Sequence, residues 1–348
     1  MLKPISRRAS CAKGSLVLAL LFVVPGVAHA TKYAGSFMAD GGGARALGLG
    51  SAFVAVADDA SASFWNPAGL VDLDRRQALV MHSERFGDLI DRDFASYAQP
   101  LDGGDSAFAF SVIRLGLDDI AITAHLDLDA NDDGIVDDDE ATALLTPAFQ
   151  DQIRYETDQE WAFFGSYARR FGEWQLGGNF KLIRQSVDEY GSFGMGVDVG
   201  ALRRSIWRDL DVGMKLQDAT FTYLGWDTGT NESIAPVAIP GAAYRWVFPS
   251  ASLRLLAASA LELHFDDRGM ADQWEIGGPM TANFNLGVEA TFEEIAQLRF
   301  GTHGGFEFEN TTFGAGLIMG PLRVDYGFAG DVLDIEQNTH RISIGYEF

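Results

Sequence analysis

From about residue 77 onward, large apolar residues recur at every second position. In the stretch Trp174 to Leu182 the even positions are mostly large and apolar, and the odd ones polar or small. Leu210, Val212, Met214 and Leu216 alternate with Asp211, Gly213, Lys215 and Gln217. Leu322, Val324, Tyr326 and Phe328 alternate with Arg323, Asp325 and Gly327, and Ile342, Ile344, Tyr346 and Phe348 with Arg341, Ser343, Gly345 and Glu347. This period places the two sets on opposite faces of a strand. About fourteen such segments are expected, near 77–85, 91–100, 105–115, 157–170, 173–186, 191–204, 207–219, 236–247, 251–265, 280–291, 295–303, 310–319, 321–330 and 337–348. Some links are tight (Arg170 to Glu173, Gly320-Pro321), while 116–156, 220–235 and 266–279 are long. Segments of about ten residues, with short turns on one rim and long loops on the other, suit strands that cross a membrane.

A soluble β-sandwich alternates equally well. Two features favour a barrel. One face repeats Phe, Trp, Leu and Val with no second layer to cover it. The other carries Lys181, Asp198, Glu289, Arg299, Arg323, Asp325 and Glu347, a costly core for a sandwich. The expected fold is therefore all-β, a transmembrane antiparallel barrel of about fourteen strands with an N-terminal plug. Trp161, Trp174, Trp246 and Trp274 lie near segment ends, where interfacial girdles form; core tryptophans are the alternative.

The plug is read from Gly41 to Leu70, which is too rich in Gly and Ala for an ordinary strand and lacks a helical stripe of large apolar residues. Asn66-Pro67 closes it with a turn whose proline fixes φ and removes a donor. Before it, Lys3, Arg7, Arg8 and Lys13, the apolar run Leu16 to Val24 and the site Ala28-His29-Ala30 read as a signal peptide over 1–30. The domain organisation expected is a signal peptide 1–30, a plug 31–75 and a barrel 76–348 with a loop insertion 116–156.

The net charge of -23 becomes more negative once the four basic residues of the leader are removed. Such acidity excludes nucleic acid as a partner, because a binder neutralises phosphates with Lys and Arg. The one cysteine, Cys11, leaves with the leader, so disulfides and thiolate chemistry go with it. No long apolar run follows residue 30, so no transmembrane helix is expected. A secreted, cysteine-free, Gly- and aromatic-rich chain suits the outer membrane of a Gram-negative cell.

Three pieces of the plug carry a resemblance: Gly43-Ala44-Arg45-Ala46-Leu47-Gly48, Ala57-Asp58-Asp59-Ala60 and Asn66-Pro67-Ala68-Gly69-Leu70. In this order they resemble the amino-terminal region of FadL-like long-chain fatty-acid channels and the related PorV-like outer-membrane proteins. The resemblance implies a fourteen-stranded barrel with an Asn-Pro-Ala hatch. It also implies either a channel for small hydrophobic molecules or a scaffold or shuttle in secretion or envelope assembly. Asn66, Pro67 and Ala68 are expected to pin the plug to the inner wall, or to form a turn without a gating role. Asp58 and Asp59 are expected to pair with Arg or Lys lining the lumen. The terminal strand ending at Phe348 resembles the signal read by the barrel-assembly machinery. Membrane lipids, that machinery and a hydrophobic ligand are the expected partners.

The sharpest chemical pattern is Asp129 to Glu140, which matches the twelve-residue EF-hand loop. Asp129, Asn131 and Asp133 supply oxygens, Gly134 makes the turn, Ile135 offers its carbonyl, and Asp137 binds directly or through water. Glu140 closes the shell with both oxygens. One Ca2+ is the expected ligand, ordering an outer loop; an acidic solvated loop is the alternative. Residues 140–146 are expected to form a short exit helix stopped by Pro147, while Ile120 to His125 reads as β-like. No enzyme is expected: no Gly-x-Ser-x-Gly, phosphate loop or paired histidines occur. His264-Phe265-Asp266-Asp267 reads as a loop metal site or, more simply, a strand-end histidine.

Overall fold

The computed structural model describes residues 35–39, 41–85, 90–122, 126, 142, 146–187, 189–266, 272–304, 310–330 and 338–348. The leader 1–30 and the whole of the 129–140 loop lie outside these residues.

Among the described residues, seventeen strands form one antiparallel sheet. They are β1 (Gln77–Arg85), β2 (Ile90–Leu101), β3 (Ser106–Ile122), β4 (Arg154–Phe171), β5 (Trp174–Val187), β6 (Tyr190–Trp207), β7 (Leu210–Gln217), β8 (Thr222–Trp226) and β9 (Asn231–Ile234). They continue as β10 (Val237–Phe248), β11 (Leu253–His264), β12 (Trp274–Gly277), β13 (Met280–Phe292), β14 (Ala296–Thr302), β15 (Thr311–Met319), β16 (Leu322–Ala329) and β17 (Thr339–Glu347). β1 pairs with β2 on one side and with β17 on the other, so the sheet closes. Fourteen strands make the wall. The short β8, β9 and β12 are extensions: β8 continues the pairing of β6 where β7 ends, and β12 lies on β13. Closure removes free edges, which a bilayer cannot satisfy.

Each of the fourteen expected segments is a wall strand, with changed ends. β3 and β4 pair onward through Ile120↔Glu156 and Ile122↔Arg154, so the long connection is 123–153 rather than 116–156. An irregularity between Leu117 and Ile120 shifts the register there, which breaks the alternation and hides the extension. Among the described residues of that connection a short helix, Pro147–Gln150, begins at the proline that was expected to end one. Proline suits a first helical position because its missing N–H has no partner there anyway.

Burial alternates along the wall. Arg92, Phe94, Ser96 and Ala98 of β2 are buried, whereas Phe108, Phe110, Phe163, Tyr167, Phe180, Phe300, Ile342 and Ile344 are exposed on the outer face. This outer belt is the face that lipid covers. Trp174 and Trp246 are exposed near the short-turn rim, joined by Trp207, which the sequence reading passed over; Trp274 is exposed at the other. Trp161 instead stacks on Phe163 at 6.0 Å within β4, because that strand begins at Arg154. Glu347, expected inside, lies exposed at the end of β17 and accepts from Gln77 at 3.1 Å.

The segment from Gly41 to Leu73 lies inside the wall. It contains two one-turn helices, α1 (Ala44–Gly48) and α2 (Ala62–Trp65), and a 3-10 turn Pro67–Asp72. The backbone N–H of Ala44 donates to Ser343 Oγ of β17 at 2.7 Å, and Asn179 of β5 donates to the Ser63 carbonyl at 2.8 Å. Where the segment's backbone meets the wall, several wall residues are glycine. A Cβ at Gly287 would sit 2.7 Å from the Leu49 carbonyl carbon, and one at Gly301 2.5 Å from the Gly50 nitrogen. Gly213 meets Val54 and Ala55 in the same way. Only an absent side chain lets two backbones come this close.

Candidate functional site

The inner segment is tied to the wall by buried charges. Arg45 of α1 is 8% exposed at its side chain. Its Nε donates to Glu289 Oε2 of β13 at 2.9 Å and its Nη2 to Oε1 at 3.0 Å, a two-pronged pair. Its Nη1 donates to Asp58 and lies 3.6 Å from Asp59. Glu289 is shared with Arg299 of β14 at 2.7 Å, and Arg299 meets Asp325 of β16 at 2.8 Å. Asp58 also faces Arg245 of β10 at 3.7 Å. Partial burial disfavours the Asp58 carboxylate, but Arg45, Arg245 and Arg204 outweigh it and hold its carboxyl below the ordinary range. The partner of Asp58 and Asp59 is thus chiefly Arg45 of the same segment, with Arg245 of the wall added for Asp58.

Asn66 accepts from Ala68 N at 3.2 Å and donates to the Val54 carbonyl at 2.8 Å and the Ala201 carbonyl of β6 at 3.1 Å. It bonds its own turn, the segment before it and the wall at once. Pro67 opens the 3-10 turn that Ala68 continues, and all three residues are buried. At the end of that turn Asp72 pairs with Arg204 of β6 at 2.7 Å. Arg204 also donates to the Ala55 and Val56 carbonyls, each at 2.7 Å. Further along β5 and β6, Lys181 of β5 lies between Asp198 of β6 at 2.9 Å and Asp218 at 2.5 Å. Lys215 of β7 donates to the Phe64 carbonyl at 2.7 Å.

Toward the long-loop rim the lumen has two unlike sides. On β1 to β5 the residues Met81, Phe94, Ile113, Ala162 and Ile183 face each other across successive strand pairs and are all buried. Leu224 of β8 extends the row. Phe64 of α2 packs edge-on against Phe164 at 6.0 Å and Trp65 at 5.2 Å, and Gly42 lies against the Phe94 ring. Across the lumen, β11 and β13 present Glu262, His264, Thr281, Asn283 and Asn285. Between the inner segment and β7, β10 and β11 is a cavity of about 60 Å3, lined by Trp65, Phe64, Lys215, Gln217, Glu262 and His264 among others. A second, polar recess of about 220 Å3 opens beneath Arg45, Asp58 and Glu289.

His264 is the last residue of β11 and points inward, as a strand-end histidine. Among the described residues no group of three His, Cys, Asp or Glu is placed to hold a metal, and Asp267 lies outside them. Asp129, Asn131, Asp133, Ile135, Asp137 and Glu140 also lie outside them. The sequence reading missed Arg45 as the central tie. The available signal was a single cation within a run of Gly and Ala, where an unpaired charge is costly to bury.

No family model matches the sequence, and no curated protein matches it. Among solved structures, the toluene transporter TodX of P. putida is similar with a TM-score of 0.55 and 10% identity, over 88% of this chain and 99% of that chain. The Ralstonia pickettii toluene transporter TbuX is similar with a TM-score of 0.52 and 11% identity, over 88% of this chain and 98% of that one. At these identities the likeness is one of fold. It spans nearly the whole of both transporters.

Proposed function

We propose that this chain is a FadL-like channel of the outer membrane for small hydrophobic molecules, with residues 31–75 as its plug. The observation that carries the reading is the inward apolar row Met81, Phe94, Ile113, Ala162 and Ile183, which packs in one buried cluster with the seated segment. A water-filled porin lines its lumen with polar groups, whereas this row becomes an apolar surface for a solute once the seated segment moves away. The shared fold with two toluene transporters supports the same class of solute. Short turns face the periplasm and long loops the exterior in such barrels, so the apolar row faces outward and the Arg45 cluster faces inward. A cavity of about 60 Å3 is smaller than an aromatic ring with its contacts, so passage requires the plug to shift. The 129–140 loop is proposed to bind one Ca2+ and order the exterior rim, on the strength of its donor spacing alone.

The small size of that cavity favours a second reading, a PorV-like barrel that scaffolds secretion or envelope assembly without transporting. Uptake of radiolabelled toluene by cells with and without the protein separates the two. A faster initial uptake with the protein supports the channel. Equal uptake, with a secretion component co-purifying, supports the scaffold.

A further inference from the structure

The small cavity beside the plug contains two hydrogen-bond acceptors that face each other without a donor between them. His264 Nδ1 lies 2.7 Å from Asp272 Oδ2. An ionised carboxylate only accepts, so in the neutral imidazole the ring proton sits on Nδ1 and leaves a lone pair on Nε2. Glu262 Oε1 accepts from Asn285 Nδ2 at 2.8 Å. Its other oxygen, Oε2, lies 3.9 Å from His264 Nε2, too far for a direct hydrogen bond. Among the described residues neither Glu262 Oε2 nor His264 Nε2 has a hydrogen-bond partner. Both residues line the cavity, and the His264 side chain is 5% exposed.

The neighbouring cation does not fill the gap. Lys215 Nζ is committed to the Phe64 carbonyl at 2.7 Å and Gln217 Oε1 at 3.0 Å, and sits 4.4 Å from the Phe64 ring centre. Around it, Asp198, Asp218 and Glu262 outnumber the one further cation, Lys181. The space between Oε2 and Nε2 therefore suits a group with at least two donors and a positive charge. Phe64, Trp65, Val54, Val237 and Ile239 supply an apolar lining next to it.

We infer that Glu262 and His264 form the head-group site for a small hydrophobic amine, whose protonated nitrogen donates to both acceptors. This rests on the channel reading and narrows its substrate class from plain hydrocarbons to hydrophobic molecules with an amine head. The cavity of about 60 Å3 accommodates the nitrogen and its first carbon. The body of the ligand lies against the aromatic and aliphatic lining once the plug moves.

The test compares benzylamine, benzyl alcohol and toluene by titration calorimetry on the purified barrel at neutral pH, where the amine is protonated. Benzylamine is expected to bind at least about tenfold tighter than benzyl alcohol, the scale of one charge-assisted hydrogen bond. Glu262→Gln is expected to remove that preference, so that benzylamine binds no tighter than benzyl alcohol. Retention of the heat-modifiable gel mobility of a folded barrel verifies the variant, and the wild-type comparison stands without it. Equal binding of all three probes overturns the head-group site but leaves the channel standing, with water then occupying the gap. A preference for benzylamine that survives both Glu262→Gln and His264→Ala places the amine elsewhere and also overturns it. Binding of none of the three, together with no toluene uptake, overturns both the site and the channel.

Discussion

Replacing Arg45 with methionine removes the charge that joins the inner segment to the wall while keeping a side chain of similar length. Arg45 makes two hydrogen bonds to Glu289 and one to Asp58, at a position where its side chain is 8% exposed. Breaking a buried pair from one side costs about 3–5 kcal/mol, because the remaining charge stays buried. Glu289 retains Arg299 at 2.7 Å, and Asp58 retains Arg245 at 3.7 Å. The loss therefore belongs at the lower end, about 3 kcal/mol, or about a hundredfold shift from seated toward unseated plug. Single-channel recording in planar bilayers reads this directly as a higher frequency of open events in Arg45→Met. Arg45→Met/Glu289→Met is expected to recover part of the closure, since Arg299 still has Asp325 at 2.8 Å. Conductance of Arg45→Met indistinguishable from wild type would refute the assignment of Arg45 as the tie.

Gly287→Val drives a side chain into the Leu49 backbone and is expected to destabilise plug seating by about 1–3 kcal/mol, seen as faster proteolysis of the inner segment in the folded barrel. Acidification loosens the same seat. Asp58 ionises below the ordinary carboxylate range, so its contribution is intact above about pH 4 and is lost as pH falls through its lower folded value. Open probability is therefore expected to rise only in strong acid, and to rise less steeply in Asp58→Asn. Glu140→Ala removes the proposed bidentate ligand of the 129–140 loop and is expected to abolish calcium binding measured by calorimetry; unchanged affinity removes that site.

The wall was legible because a barrel strand writes its two faces into alternate positions, as in Leu210 to Gln217 and Leu322 to Phe328. Reading failed where the period was interrupted. The irregularity after Leu117 hid the last turn of β3, and the step at Asp218, with φ of 54°, split one rising strand into β7 and β8. Asn66, Pro67 and Ala68 stood out through the resemblance they carry, and Asn66 bonds the wall at the Ala201 carbonyl. The site itself was less visible. Glu262 and His264 meet Asp272 and Asn285 only through strand register and a loop, and no local spacing announces such a meeting. Nor does a sequence show that Gly287 and Gly301 are spaces left for another backbone.

The central claim is that hydrophobic molecules pass through the lumen when the plug shifts. The mature chain is expected to lack cysteine, so a single engineered pair is free of competing thiols. Ala44→Cys with Ser343→Cys joins two positions whose backbone N–H and Oγ are 2.7 Å apart. Labelled toluene uptake is then measured in cells before and after reduction of that disulfide. Slow uptake when oxidised, restored on reduction, is the expected result. Equally fast uptake with the crosslink verified as complete would contradict the claim.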